Sequence, residues 1–279
     1  MCEHRLVQTS AVYLVGECQF PAVPPPSPPS PVTPGGRDVC TPIDRLSLDS
    51  SVGPDLDPEP HLTGHDDRLA EAVHVLSTEA TALQCVSRLY AHDRVARESF
   101  NAAVTAIVRT QTGTQGRGKL VIMGVGKSGH IARKLVATFN SLALPSSYLH
   151  PTEVLHGDLG HVTPNDTLLF ITASGKTPEL LAILPYLDES LPLIVLTAQS
   201  WRETCELARL RGDAILLPAP VHEPETVSFG VAAPTTSTTV ALAVGDALAL
   251  VCAREWHGGG GCCCGGGGFA GVFAINHPG

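Results

Sequence analysis

Residues 120–137 constrain the possible folds more than any other stretch of this chain. Leu120-Val121-Ile122-Met123 is an apolar run of strand length, and Gly124-Val125-Gly126-Lys127-Ser128-Gly129 is a glycine-rich turn. Ile131-Ala132-Arg133-Lys134-Leu135-Val136-Ala137 then follows with helical character. A buried strand that turns through glycines into a helix is the building unit of a parallel α/β sheet. The same turn presents backbone N–H groups and the positive end of a helix dipole to an anion. Lys127 adds a full positive charge, so the unit also predicts a phosphate-bearing ligand.

The rest of the chain repeats this unit. Strand-like runs fall at Leu120–Met123, Ser147–Leu149, Leu168–Thr172, Leu193–Leu196 and Ala214–Leu217. Helix-like runs lie near 127–141, 152–157, 178–187, 201–209 and 236–255. Two further helical runs precede the first strand, one carrying Leu69, Val73, Leu76, Ala80 and Leu83, the other from about Arg94 to Val108. The pattern predicts an α/β domain with a doubly wound, five-stranded parallel sheet flanked by helices, over residues 65–279. Ligands of such sheets bind outside the carboxyl ends of the strands. Residues 1–64, crowded with prolines between Pro21 and Pro34, read as a disordered tail, an unstructured spacer rather than a docking ligand. Residues 258–268, four glycines, three cysteines and four glycines, read as a flexible insert.

Charge and cysteine placement narrow the function classes. A formal net charge of −9 argues against nucleic acid or an anionic membrane as the main partner. No apolar run reads as a membrane span, and the N-terminus has no hydrophobic signal core. The nine cysteines include no C-x-x-C pair, and three of them are consecutive, which excludes a recognisable zinc site or disulfide framework. A cytoplasmic location is the expectation.

Two familiar phosphate loops can be weighed against the turn. A nucleotide P-loop would need glycine at 121, where Val121 stands. The spacing G-x-G-x-x-G of a dinucleotide fold is met, but the second strand runs into His150-Pro151, with Glu153 only in the next turn, where an acidic ribose ligand is required. A dinucleotide-dependent oxidoreductase is therefore weakened. A second anion cradle, Thr172-Ala173-Ser174-Gly175-Lys176-Thr177-Pro178-Glu179, follows the third strand, although Thr177 as a plain helix cap accounts for it too. A third hydroxyl cluster, Pro234-Thr235-Thr236-Ser237-Thr238-Thr239, opens the last long helix. His150 and His156 add imidazoles after the second strand.

Taken together, the stretch from Gly124 to Asp246 resembles a SIS (sugar isomerase) domain, and specifically the arabinose-5-phosphate isomerase family. The motifs that carry the resemblance are Gly-Val-Gly-Lys-Ser-Gly-His (124–130), His-Pro-Thr-Glu (150–153), His-Gly-Asp-Leu-Gly (156–160), Ala-Ser-Gly-Lys-Thr-Pro-Glu (173–179), Ala-Pro-Thr-Thr-Ser-Thr-Thr (233–239), Gly-Asp-Ala-Leu-Ala (245–249) and Asn-His-Pro-Gly (276–279). The resemblance implies interconversion of ribulose 5-phosphate and arabinose 5-phosphate through an enediol, with no required cofactor. It places catalytic roles on Lys127, Glu179, His277 and a glutamate in His222-Glu223-Pro224-Glu225. Counting back from Phe229-Gly230 favours Glu225, with Glu223 as the alternative. Substrate contacts fall on Gly126, Ser128, His150, His156, Ser174, Thr177, Thr235, Thr236, Ser237 and Thr238, and His150 matches a position that contacts an inhibitory zinc. The resemblance also implies a homo-oligomer, tetramer-like, in which His277 reaches a neighbouring subunit. Bacterial members continue past His-Pro-Gly into two regulatory CBS modules, whereas this sequence stops at Gly279, so regulation through them is not expected. The competing reading from another class is a sugar-phosphate sensor, a SIS module that binds without turnover. Retention of two carboxylates and a histidine beside the phosphate cradle favours the enzyme.

Overall fold

The computed structural model describes residues 64–111, 118–258 and 268–277. The proline-rich stretch and the glycine–cysteine run at 259–267 lie outside the described residues. Two helices lead, α1 (Gly64–His92) and α2 (Arg94–Thr110). The side chain of Asp93 caps α2 by accepting from the Ala96 amide at 2.7 Å. The sheet is built from β1 (Leu120–Gly124), β2 (Ser146–Leu149), β3 (Thr167–Ile171), β4 (Leu193–Thr197) and β5 (Ile215–Pro218). Between and after them come α3 (Lys127–Ser141), α4 (Pro151–Leu155), α5 (Pro178–Ile183), α6 (Glu206–Leu210), α7 (Glu225–Phe229), α8 (Thr236–Gly258) and α9 (Gly268–Asn276).

All four strand pairings are parallel, in the order β2-β1-β3-β4-β5. The expected five-stranded doubly wound sheet is therefore present. Strand residues alternate between two cores because successive side chains point to opposite faces. Ile122, Leu169, Ile194 and Leu217 pack with α1, α2, α3 and α8, while Val121, Met123, Leu168, Phe170 and Val195 pack with α4, α5 and α6. The order of strand addition reverses between β1 and β3, and this switch point opens a crevice at the carboxyl ends.

Helix α8 corrects one expectation. At 23 residues it is long and apolar enough, by length and composition alone, to cross a membrane. It passes that test because it is a core helix: Val240, Val244, Leu248 and Cys252 are all buried against the sheet-side helices. It lies so close to α3 that a Cβ at Gly245 would stand 2.4 Å from Leu135 Cδ1. Asp246 completes the contact by pairing with Lys134, whose Nζ is 2.6 Å from Oδ2. Burial pushes the Cys252 thiol up to about 12, so it packs as a small apolar group rather than reacting.

The amino-terminal ends of β1 and β3 are tied together by Asp166. Its carboxylate accepts from the Lys119 amide at 2.9 Å, the Lys119 ammonium at 2.6 Å and the Thr163 amide at 2.8 Å. Burial alone raises the pKa of this carboxyl. The bonds from the Lys119 side chain and the two amides outweigh it and hold Asp166 below the usual aspartate value. A depressed folded pKa contributes stability above the unfolded value of ~3.9, and that contribution is lost as pH falls through the folded value. Asp166→Asn should therefore cost about 1–3 kcal/mol at pH 7 in urea unfolding. The gap from wild type should close as the pH is taken below about 4. Equal stability of the two proteins at pH 7 would remove Asp166 from the account.

Candidate active site

The turn after β1 explains its own glycines. A Cβ at Gly124 would meet the Ser128 carbonyl oxygen at 2.8 Å, and one at Gly129 would meet the Gly124 carbonyl oxygen at 2.9 Å. The start of α3 thus rests directly on the end of β1. Gly126 precedes the helix with φ of 58°, a conformation that L side chains rarely adopt. Tyr148 on β2 braces the turn, its hydroxyl donating to the Gly124 carbonyl at 3.0 Å. Lys127 and Ser128 consequently begin α3 at the mouth of the crevice. Lys127 is exposed and makes no ion pair among the described residues.

A cavity of about 530 Å³ occupies the carboxyl ends of β1, β3, β4 and β5. Lys127 and Ser128 line it from α3, Glu225 from α7, and Ser237 and Thr238 from α8. Ile171, Leu196 and Ala219 form its apolar floor at the strand ends. Five of the fourteen residues expected from sequence therefore converge on one cavity.

Glu225 has a specific seat there. Its Oε1 accepts from the Thr235 amide at 2.8 Å, the Ser237 amide at 3.0 Å and the Ser237 hydroxyl at 2.8 Å. The carboxylate thus caps the N-terminus of α8, where amides lack intrahelical partners and the helix dipole favours negative charge. Thr235 and Ser237, expected to contact substrate, spend these donors on Glu225. Glu223 instead receives the Ser228 hydroxyl at 2.5 Å and does not line the cavity. Thr236 is fully buried, with its hydroxyl unpartnered among the described residues.

The loop after β3 is organised by its own hydroxyls. Thr177 occupies the cap position of α5 without capping it. Its hydroxyl lies 2.7 Å from that of Thr172, which also accepts from the Gly175 amide at 3.2 Å. Ser174 accepts from the Lys176 amide at 3.1 Å. Thr172 and Ala173 reach the cavity wall, whereas Ser174, Thr177 and the half-buried Glu179 stand outside it. Gly126 and Thr235 border the cavity through their neighbours rather than lining it.

His150 and His156 lie beyond the β2 end and do not line the cavity. His150 caps α4, its Nδ1 accepting from the Thr152 amide at 3.2 Å. No group of three or more metal-ligating side chains occurs among the described residues.

His277 follows α9 and is not brought to the crevice of its own chain. The Asn276 side-chain amide donates to the Ser141 carbonyl at 3.1 Å, at the far end of α3 from Lys127, roughly 20 Å away by helix rise. His277 stacks on Phe273, with ring centroids 4.1 Å apart.

The same fold occurs in known proteins. A family model described as SIS domain matches residues 115–251. A protein of Escherichia coli CFT073, solved in complex with arabinose 5-phosphate, is 32% identical and superposes with a TM-score of 0.59, over 76% of this chain and 98% of that one. The chain belongs to the SIS domain family. Among curated SIS relatives, the arabinose 5-phosphate isomerase KdsD of Shigella flexneri is 41% identical over 164 residues, 58% of this chain and 45% of that one. KdsD of Yersinia pestis is 36% identical over 187 residues, 67% of this chain and 50% of that one. The chain thus spans about half the length of the curated relatives it matches.

Two elements of this SIS chain, α7 beside the site and α9 away from it, escape sequence reasoning. Helix α7 is only five residues long, too short for periodicity, although Pro224 at its start and Gly230 in the left-handed region at its end are local signals for it. Helix α9 is apolar up to its last residue, Asn276, and shows no amphipathic pattern, and its first residue falls within the glycine run that composition assigns to a flexible insert.

Proposed function

We propose that the chain is an aldose–ketose isomerase of a five-carbon sugar phosphate, interconverting D-arabinose 5-phosphate and D-ribulose 5-phosphate. The observation that carries this reading is Lys127 and Glu225 on the walls of one cavity at the strand ends. A cation and a carboxylate around a small polar substrate are what proton transfer next to a carbonyl requires. Similarity to KdsD proteins and to the protein solved with arabinose 5-phosphate supports the substrate class.

In the proposed reaction the C1 aldehyde oxygen faces Lys127, whose ammonium stabilises the charge that grows there. Glu225 removes the proton from C2, the C2–H electron pair forms the C1–C2 double bond, and the C1–O1 π pair moves to O1, which takes a proton from the Lys127 ammonium to give the enediol. Glu225 returns its proton to C1, the O2–H pair forms the C2 carbonyl, and the O2 proton passes back to Lys127, which gives the ketose. Ser128 and Thr238 hold the phosphate end, with Ser174 and Thr177 in the adjoining loop. Glu179 supports proton movement, and His277 acts in the crevice of a neighbouring copy, because within one chain it lies at the far end of α3.

The test is turnover. Purified protein given D-arabinose 5-phosphate should form ribulose 5-phosphate in a coupled assay. Binding of the sugar phosphate, seen as a rise in Tm, without turnover would replace the enzyme by a sensor. A Tm rise with NADH instead would point to the oxidoreductase. The shared-site element predicts complementation: His277→Ala and Glu179→Gln proteins, each inactive, should regain activity when unfolded and refolded together. Mixed subunits that stay inactive would confine His277 to a role outside catalysis.

A further inference from the structure

We propose that His74, on α1, is a positioning residue for Glu225, holding α7 from the end opposite the carboxylate. The proposal rests on the isomerase reading of the crevice for its kinetic consequences, but its structural half stands apart from that reading. Helix α7 has five residues, none of them buried, so neither length nor packing holds it in place. Two sets of bonds do. At the N-terminal end Glu225 is seated on the Thr235 and Ser237 donors of α8. At the C-terminal end His74 Nε2 donates to the Ser228 carbonyl oxygen at 2.9 Å, and its ring meets Phe229 edge-on, with centroids 5.8 Å apart.

The Ser228 carbonyl belongs to the last turn of α7 and has no continuing helix to supply a partner, so the imidazole meets a real need. The same residue's hydroxyl goes to Glu223, which ties the loop before α7 to its end. Nothing in the core demands a histidine at 74: from Asp66 to Ser77 no residue of α1 is buried. The side chain therefore works across 154 positions of sequence as a brace. Without it α7 can pivot about the Glu225 seat, and the carboxylate loses its fixed place in the cavity that Lys127 also lines.

The experiment compares His74→Ala, His74→Gln and His74→Phe in the full chain. His74→Ala should lower kcat about three- to tenfold, the size of one exposed hydrogen bond, with KM within about twofold. His74→Gln, whose amide can donate to Ser228, should recover most of the loss, and His74→Phe, which keeps only the ring edge, should not. In a Glu225→Gln background His74→Ala should cost nothing further, because a positioning residue acts only through the group it positions. Amide hydrogen exchange at 225–230 should rise in His74→Ala while that of β3 stays unchanged. An undiminished extra loss in the Glu225→Gln background, or unaltered exchange at 225–230, overturns the proposal. If wild-type protein turns over no sugar phosphate, the isomerase reading fails by itself, and hydrogen exchange still decides whether His74 holds α7.

Discussion

Glu225→Gln is expected to lower kcat by about 10²–10⁴-fold, the usual contribution of a positioned acid or base. The substitution isolates chemistry from structure better than most. A glutamine Oε1 can still accept from the Thr235 and Ser237 amides, so the cap on α8 and the placement of α7 survive. What disappears is the group that takes the C2 proton and hands it to C1. Circular dichroism should accordingly show a Tm close to that of wild type, with KM little changed. Lys127→Met should give a loss of similar order, because the oxygen that gains charge loses its cation. A Glu225→Gln protein within about threefold of wild-type kcat would move the base to another residue, Glu179 being the nearest in role.

The second large effect is expected at the junction of strand and helix. Gly124→Ala places a methyl group 2.8 Å from the Ser128 carbonyl oxygen and 2.9 Å from its carbon. Both are backbone atoms, so no side chain can rotate away. The start of α3 must lift from the end of β1, carrying Lys127 and Ser128 with it. Overpacking of this kind costs about 1–3 kcal/mol of stability. The functional loss should be larger, because a displacement near ~1 Å at the reacting centre costs roughly 100-fold. Urea unfolding and kcat/KM on the same preparation separate the two. A variant that loses stability but keeps kcat/KM would show that the turn packs the fold without placing the reacting groups.

These expectations draw on features that differ in how openly the sequence displays them. The span of α3 is readable to the residue, since Gly126 and the apolar spacing that follows mark it locally. The five strands shift by a residue or so at their ends. The run at 178–187 divides into α5 and a 3-10 turn at Leu184–Tyr186, because Pro185 cannot donate the amide that an α-helix needs there. In the site, Lys127, Ser128, Glu225, Ser237 and Thr238 are nameable because each sits in a short motif, and strand order then brings them together. The seat of Glu225 on the donors of α8 is not nameable. It depends on how the 230–234 turn folds back, and neighbouring residue types do not specify that. The His74–Ser228 contact lies further still from view, because nothing local in either segment points to the other. Position alone also hides the fate of His277, whose motif is plain but whose helix packs at the far end of α3.

The measurement that bears most directly on the account is proton NMR of D-arabinose 5-phosphate incubated with the protein in D₂O. A proton moved between C2 and C1 by a half-buried carboxylate on the wall of an open cavity should be diluted by deuterium, so the ketose formed should carry deuterium at C1 and the recovered aldose deuterium at C2. Both should vanish with Glu225→Gln. Sugar phosphate that binds and shifts its signals, yet stays unconverted and undeuterated with the wild-type protein, would contradict an isomerase centred on this crevice.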